Sequence, residues 1–204
     1  MPKLPEPPAR LTLLAITTTL PAGTTLWRIY STGGVHPAGW NHFRFFGPTH
    51  ARFDHHDPPP RVQAKGILYA ANAPTTCVAE VFQVTRIIDR ISHGPWLAGF
   101  ELQRDVALLD LTGLWPTQAG ASMATSSGPR PRAQRWSRAI RAAYPHVEGV
   151  LYASSMHANR PASALYERAA TALPAAPAFN RALADPALLP RLSAAAALLG
   201  YGIA

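Results

Sequence analysis

The stretch "GILYAANAPTTCVAEVF", residues 66 to 82, decides how this chain is read. Gly66 to Ala71 is an unbroken apolar run of strand length that contains Ile67 and Tyr69, residue types that favour a pleated, buried segment. Pro74 then marks a turn and opens a helix, since the first helical position has no use for its own N–H. The second apolar run predicts that this helix continues to about Val84. At roughly 100° per residue, Thr76, Glu80 and Gln83 share one narrow stripe. Cys77, Val78, Ala79, Val81, Phe82 and Val84 fill most of the remaining circumference. A helix so apolar is largely buried, so its polar stripe either borders water or lines a cleft. The reading of Glu80 turns on that choice.

Upstream, "TTLWRIY" (24 to 30) reads as a strand. Arg28 in its middle either faces outward on an alternating strand or grips an anion from the sheet. Residues 31 to 65 are rich in Gly, Pro and His, a long irregular stretch of the kind that carries function. Downstream, "WLAGFEL" (96 to 102), "VALLDL" (106 to 111) and "GVLYAS" (149 to 154) are further strands. A Gly/Ser/Pro-rich loop spans 113 to 131 and leads into an amphipathic helix, "PRAQRWSRAIRAAY" (131 to 144). Trp136, Ala139, Ile140 and Ala143 share one side of it, and Gln134, Arg135, Arg138 and Arg141 the other. The tail, 162 to 200, is Ala/Leu-rich and reads as mostly helical, broken by Pro174, Pro177, Pro186 and Pro190. With no repeat and no linker, the expectation is one α+β domain over residues 24 to 204. It has a mixed or antiparallel β core and flanking helices, and an irregular extension over 1 to 23 precedes it.

Composition narrows the function classes. The chain has 204 residues, 48% hydrophobic and 15% charged, enough for one closed core and unlike a disordered segment. Lys and Arg number 19 against 11 Asp and Glu, a net charge of +8, with lysine only at Lys3 and Lys65. Arginine suits two-point contact with phosphate or carboxylate, so an anionic ligand, acidic partner or nucleic acid is indicated. A single cysteine, Cys77, excludes an intrachain disulfide framework and fits a reducing compartment. The apolar "LTLLAI" near the start is too short to span a bilayer and lacks a clean cleavage site. The expected location is cytoplasmic.

The cluster His50, Asp54, His55, His56 and Asp57 has ligand-type side chains but no metal-binding spacing, and it reads as a polar loop with no metal. Cys77, among apolar neighbours, reads as an inert buried thiol. Neither the phosphate-loop nor the dinucleotide-fold glycine spacing occurs. "YASSMHANRP" (152 to 161) is a short apolar strand ending in two hydroxyls, then His, Asn and Arg. Such strand ends either form a plain polar loop or place functional groups on a rigid scaffold.

Taken in order, "LWRIY", "FRFFGPTHARFD", "GILYAANAPTTCVAEVF", "VALLDLTG" and "GVLYASSMH" resemble the RES-domain family, over about residues 24 to 160. That family is named for an Arg, a Glu and a Ser, and includes toxins of Xre–RES toxin–antitoxin pairs. The resemblance implies an ADP-ribosyltransferase-like fold and NAD as substrate, with no metal. It also implies an Xre-type antitoxin that caps the cleft, with nucleic acid met only through that antitoxin. The motif arginines match Arg28 and Arg52, the strand tyrosine Tyr69, the glutamate Glu80 and the serine Ser154, with Ser155 adjacent. Where some members carry Tyr directly after the first Arg, this chain has Ile29, with Tyr30 one position on. On a strand that shift moves the ring to the opposite face. Many members also have Pro before the serine, where this chain has Ala153.

The resemblance implies a division of labour. Loss of nicotinamide from ribose develops positive charge on the sugar, which a fixed carboxylate, Glu80, stabilises. Arg28 and Arg52 hold the pyrophosphate, Tyr69 supplies a flat wall and Ser154 orients the substrate. The acceptor is water, phosphate or a protein side chain, giving a glycohydrolase, a phosphorylase or an ADP-ribosyltransferase. The alternative is a non-catalytic basic protein that binds nucleic acid or an acidic partner through Arg135, Arg138 and Arg141.

Overall fold

The apolar run of residues 66 to 71 is the second half of a longer strand, and the other elements are arranged around it. The computed structural model describes residues 4–204; residues 1–3 of the expected lead-in, with Lys3, lie outside the described residues. In chain order the strands are β1 (Thr17–Leu20), β2 (Thr25–Ser31), β3 (Arg44–Gly47), β4 (Arg61–Ala71), β5 (Ile87–Ile88), β6 (Pro95–Glu101), β7 (Val106–Asp110), β8 (Gly149–Ala153), β9 (Pro161–Tyr166), β10 (Phe179–Ala182) and β11 (Gly202–Ile203). The helices are α1 (Pro74–Val81), α2 (Trp115–Gln118), α3 (Ala124–Ser127), α4 (Arg130–Ala143) and α5 (Leu189–Leu199).

Among the described residues, nine strands form one sheet in the order β1-β7-β8-β9-β4-β2-β6-β10, with β3 added against β4, while β5 and β11 pair separately. Every pairing in the large sheet is antiparallel except β7 with β8, whose crossover carries α2, α3 and α4. β2 and β6 pair along seven positions, and β4 and β9 along five. β2 and β4, by contrast, share only the pair Trp27–Ala71. The sheet therefore divides into two blocks joined by a single rung.

Side chains alternate across the sheet as the two-residue strand period requires. From β4, Ile67 and Ala71 enter a core with Trp115, Trp136, Ile140 and Tyr144. Leu68 and Ala70 enter the opposite core with Leu26, Phe100, Leu108 and Leu165. A third cluster packs Val78 of α1 on Leu188, Leu192 and Ala196 beside α5. All three apolar cores close on the α+β expectation.

Three expectations are corrected. The lead-in is not irregular throughout, since β1 pairs with β7 from Thr17–Leu109 to Leu20–Val106. The tail is not mostly helical, because β9 and β10 both join the sheet and only α5 is an α-helix there. β9 lies between β4 and β8, and five of its six residues are buried. A strand covered on both faces loses the apolar–polar alternation that would mark it. The helix of α1 ends at Val81, not Val84. Gln83 Nε2 donates to the Glu80 carbonyl at 2.6 Å, satisfying one of the carbonyls a helix leaves open at its end.

Candidate functional site

Where β2 and β4 part, a cleft of about 770 Å3 opens, a size suited to a cofactor-sized ligand. Arg28 and Ile29 of β2 line one lip, and Ile67 and Tyr69 of β4 the other. Arg52, Glu80 and Ser155 complete the wall, so five of the six residues singled out by sequence reach one hollow. Ser154 lies just behind, fully buried at the end of β8.

Glu80 resolves the question posed by its helix. Thr76, on the same stripe, is completely buried and hydrogen-bonded to His157 Nδ1 at 2.9 Å. Glu80 lines the cleft, and Ser154 Oγ donates to its Oε1 at 2.5 Å. The stripe is a cleft wall, not a strip facing open water. Burial pushes the Glu80 carboxyl above the usual carboxylate range, opposed by the Ser154 hydrogen bond and then by Arg52 and Arg130. The two adjacent serines are placed differently. The first holds the carboxylate, and the second is exposed at the cleft.

The two expected arginines are held differently. Arg28 Nη1 donates to the carbonyls of Trp40 at 3.1 Å and His42 at 2.9 Å, on the loop after β2. Burial lowers its guanidinium to about 10. Arg52 Nη1 donates to the Gly128 carbonyl at 2.5 Å, across from the α3–α4 junction. Burial and the neighbouring Arg130 lower Arg52, and Glu80 partly restores it. Among the described residues, neither Arg28 nor Arg52 forms an ion pair with a carboxylate.

Helix α4 fixes the loop that carries Arg52. Gln134 Nε2 donates to the carbonyls of Thr49 and Ala51 at 2.7 and 2.9 Å, and Ser137 Oγ to that of Phe53 at 2.7 Å. The histidine-rich segment is part of the same support. Asp54, fully buried, accepts from Arg44 Nη2, Thr49 N and Thr49 Oγ1, and pairs with His56 Nδ1 at 2.6 Å. Burial raises the Asp54 carboxyl, but the His56 and Thr49 hydrogen bonds and Arg44 outweigh it and hold it well below its usual range. His55, stacked on His56 at 5.1 Å, is pushed down to about 2 by burial. Asp54 and His56 are engaged with each other, and His55 stacks on His56; among the described residues no group of three or more His, Cys, Asp or Glu is placed to hold a metal ion.

Tyr69 borders the cleft with its hydroxyl buried, which pushes its pKa far up. Tyr30 points away and donates to Asn180 Oδ1 at 2.9 Å, leaving Ile29 at the cleft. The face change expected from that one-residue shift is what the structure has. Cys77 is buried, donates to the Trp27 carbonyl, and has its thiol pushed up to about 12, consistent with an inert role.

The basic face of α4 is not free. Arg135 binds both carboxylate oxygens of Glu6 at 2.5 and 2.6 Å, Arg138 donates to the His56 carbonyl at 3.3 Å, and Arg141 pairs with Glu167. No helix is long and apolar enough to cross a membrane among the described residues.

Among the cleft residues that sequence reading did not single out are Arg44, Ser126, Arg130 and Tyr152. Tyr152 was within the quoted "GVLYAS" strand, and its inward face follows from strand alternation. Ser126 of α3 and Arg130 of α4 lie in the segment expected to be a Gly/Ser/Pro-rich loop, where no periodicity points to them.

No curated protein matches this sequence. A chain of the M. tuberculosis MbcT–MbcA toxin–antitoxin complex superposes with a TM-score of 0.56 at 20% identity. The match covers 86% of this chain and 92% of that one, which is a likeness of fold. The RES domain model matches residues 25–186, from the first residue of β2 to beyond β10. With that match spanning most of the sheet and every wall of the cleft, the chain belongs to the RES domain family.

Proposed function

We propose that this protein consumes NAD, breaking the bond between nicotinamide and ribose, and that it is the toxin of a toxin–antitoxin pair. One observation carries the reading: a half-buried carboxylate, Glu80, faces a cleft in which Arg28, Arg52 and Arg130 form no ion pair with a carboxylate among the described residues. Such a site suits a ligand that is anionic at its phosphates and becomes cationic at one sugar carbon.

In this reading the C–N bond breaks with its electron pair leaving on nicotinamide, which departs neutral. The positive charge left on the ribose is stabilised by Glu80, held in place by Ser154. An acceptor oxygen or other nucleophile then bonds to the sugar carbon and loses its proton to the solvent. Water, inorganic phosphate and a protein side chain all fit that step. Arg28 and Arg52 hold the pyrophosphate, Tyr69 provides a flat wall, and Ser155 offers a hydroxyl to the ligand. The serine that was expected to orient substrate acts here on the carboxylate instead.

An antitoxin of Xre type is the expected partner. The solved neighbour comes from a toxin–antitoxin complex, and exposed Val35, Phe45, Phe46 and Val62 surround the cleft mouth. Apolar side chains around a charged hollow suit a protein that caps it. A cytoplasmic location follows from NAD as substrate.

The deciding experiment incubates the purified chain with NAD, with and without phosphate, and identifies the products by mass spectrometry. Release of nicotinamide by the parent protein and its loss in Glu80→Gln are the expected results. Undiminished nicotinamide release by Glu80→Gln would overturn the assignment.

A further inference from the structure

At the α3–α4 end of the cleft, near Arg52, lie Arg130, Gln83 and Ser126, which neither the family motif nor the mechanism uses. Arg130 is the first residue of α4 and lines the cleft. Its Nη2 donates to Gln83 Oε1 at 2.8 Å, and Gln83 in turn is bonded to the Glu80 carbonyl. Among the described residues it forms no ion pair with a carboxylate. It is close enough to Arg52 to disfavour that residue's charge. Two neighbouring guanidiniums with one carboxylate, Glu80, near both still repel one another, and an incoming anion relieves that repulsion.

A second, independent observation comes from Ser126. The residue is 5% exposed and sits at the cleft wall, yet among the described residues its hydroxyl has no hydrogen-bond partner. A buried hydroxyl left unpaired is unfavourable, and a ligand oxygen at the wall would satisfy it. Arg52 reaches the same segment through the Gly128 carbonyl. The first turn of α4, a fourteen-residue helix, adds the positive end of its dipole beside Arg130.

We infer that Arg130, Ser126 and Arg52 form a phosphoryl-binding subsite at the α3–α4 end of the cleft. Arg130 and Arg52 supply charge-assisted hydrogen bonds, Ser126 donates a neutral one, and Gln83 is a positioning residue that aims Arg130. The subsite is distinct from the Arg28 lip, where Arg28 is turned onto the carbonyls of Trp40 and His42. This inference rests on the reading of the cleft as a dinucleotide site. The phosphoryl group belongs either to the dinucleotide's diphosphate or to free phosphate, and the experiment separates them.

Isothermal titration of the full chain with ADP-ribose, adenosine and inorganic phosphate tests this, using the parent, Arg130→Gln and Ser126→Ala. With the diphosphate as source, Arg130→Gln weakens ADP-ribose roughly 10- to 100-fold, the range for a hydrogen bond to a charged group. Ser126→Ala then weakens it by about threefold to tenfold, and adenosine is unaffected by either change. With free phosphate as source, Arg130→Gln instead weakens inorganic phosphate while ADP-ribose is unchanged. Either pattern supports the subsite. Parent-like binding of both phosphate-bearing probes by a folded Arg130→Gln overturns it and leaves the NAD reading intact. A parent that binds none of the three overturns the subsite and the NAD reading together. Should Arg130→Gln fail to fold, Ser126→Ala alone decides, and equal ADP-ribose and phosphate affinities in that variant overturn the proposal.

Discussion

The two ends of helix α4 carry the same kind of side chain and treat it in opposite ways. At its start, Arg130 borders the cleft, donates to the neutral Gln83 and forms no ion pair with a carboxylate among the described residues. Further along, Arg135 meets Glu6, Arg138 the His56 carbonyl and Arg141 Glu167. A net charge of +8 says that the chain carries excess cations, but not which of them await a ligand. What separates the two groups is the presence of an internal partner. A basic helix face that looks like a docking surface in a helical projection is here the adhesive that holds the Arg52 loop and the N-terminal segment in place.

The sharpest way to break this contrast is at Glu80, the only carboxylate lining the cleft among the described residues. Glu80→Gln is expected to lower kcat for NAD loss by about 100-fold or more, as removal of a preorganised charge does elsewhere, measured as nicotinamide release. The same substitution has the opposite sign for stability. The folded state raises the Glu80 pKa, so its contribution is favourable with the proton on and is lost as pH rises through the folded value. A permanently neutral glutamine should therefore melt above the parent at pH 7, with the gap closing toward pH 4 in thermal scans.

Next in size are the arginines. Arg52→Ala is expected to lower kcat/KM for NAD by roughly 10- to 100-fold, whereas Arg135→Ala leaves it within about twofold, since that pair is a surface contact. Equal losses at the two positions in a steady-state assay would erase the distinction drawn here. Ser154→Ala is expected to have a smaller effect, about tenfold on kcat, the scale of one hydrogen bond to a charged group. It removes the hydrogen bond that holds the Glu80 pKa down, so the acid limb of the pH–rate profile should move to higher pH. Ser155→Ala should leave that limb in place.

Much of this arrangement can be read from the chain, for physical reasons that also explain the gaps. The turn at Pro74 and the apolar runs on either side of it carry clear local signals, so β4 and α1 were found within a few residues. Arg28, Tyr69 and Glu80 lie on those elements or on β2, where periodicity fixes the face. β9 was invisible because "PASALY" is alanine-rich and buried against two neighbouring strands. Small side chains let the strands lie close but remove the β-branched residues that announce a strand. Arg130 and Ser126 were missed because the fold of a Gly/Ser/Pro-rich loop is set by what it packs on. The Arg52–Gly128 contact spans 76 positions and leaves no periodic trace. The roles of Arg135 and Arg138 were likewise hidden, since their partners, Glu6 and His56, lie more than 80 positions away.

The single Trp27–Ala71 rung has a consequence for how the molecule opens. β2, β6 and β10 are bound to one another over long registers, as are β4, β9 and β8, but the two groups are stitched by one residue pair. Protection of amides from solvent deuterium should therefore fall into two cooperative units with different opening free energies. The boundary between them would run along the floor of the cleft. A molecule that grips both lips at once would merge the units, so occupancy could be followed as a gain in protection far from the bound atoms.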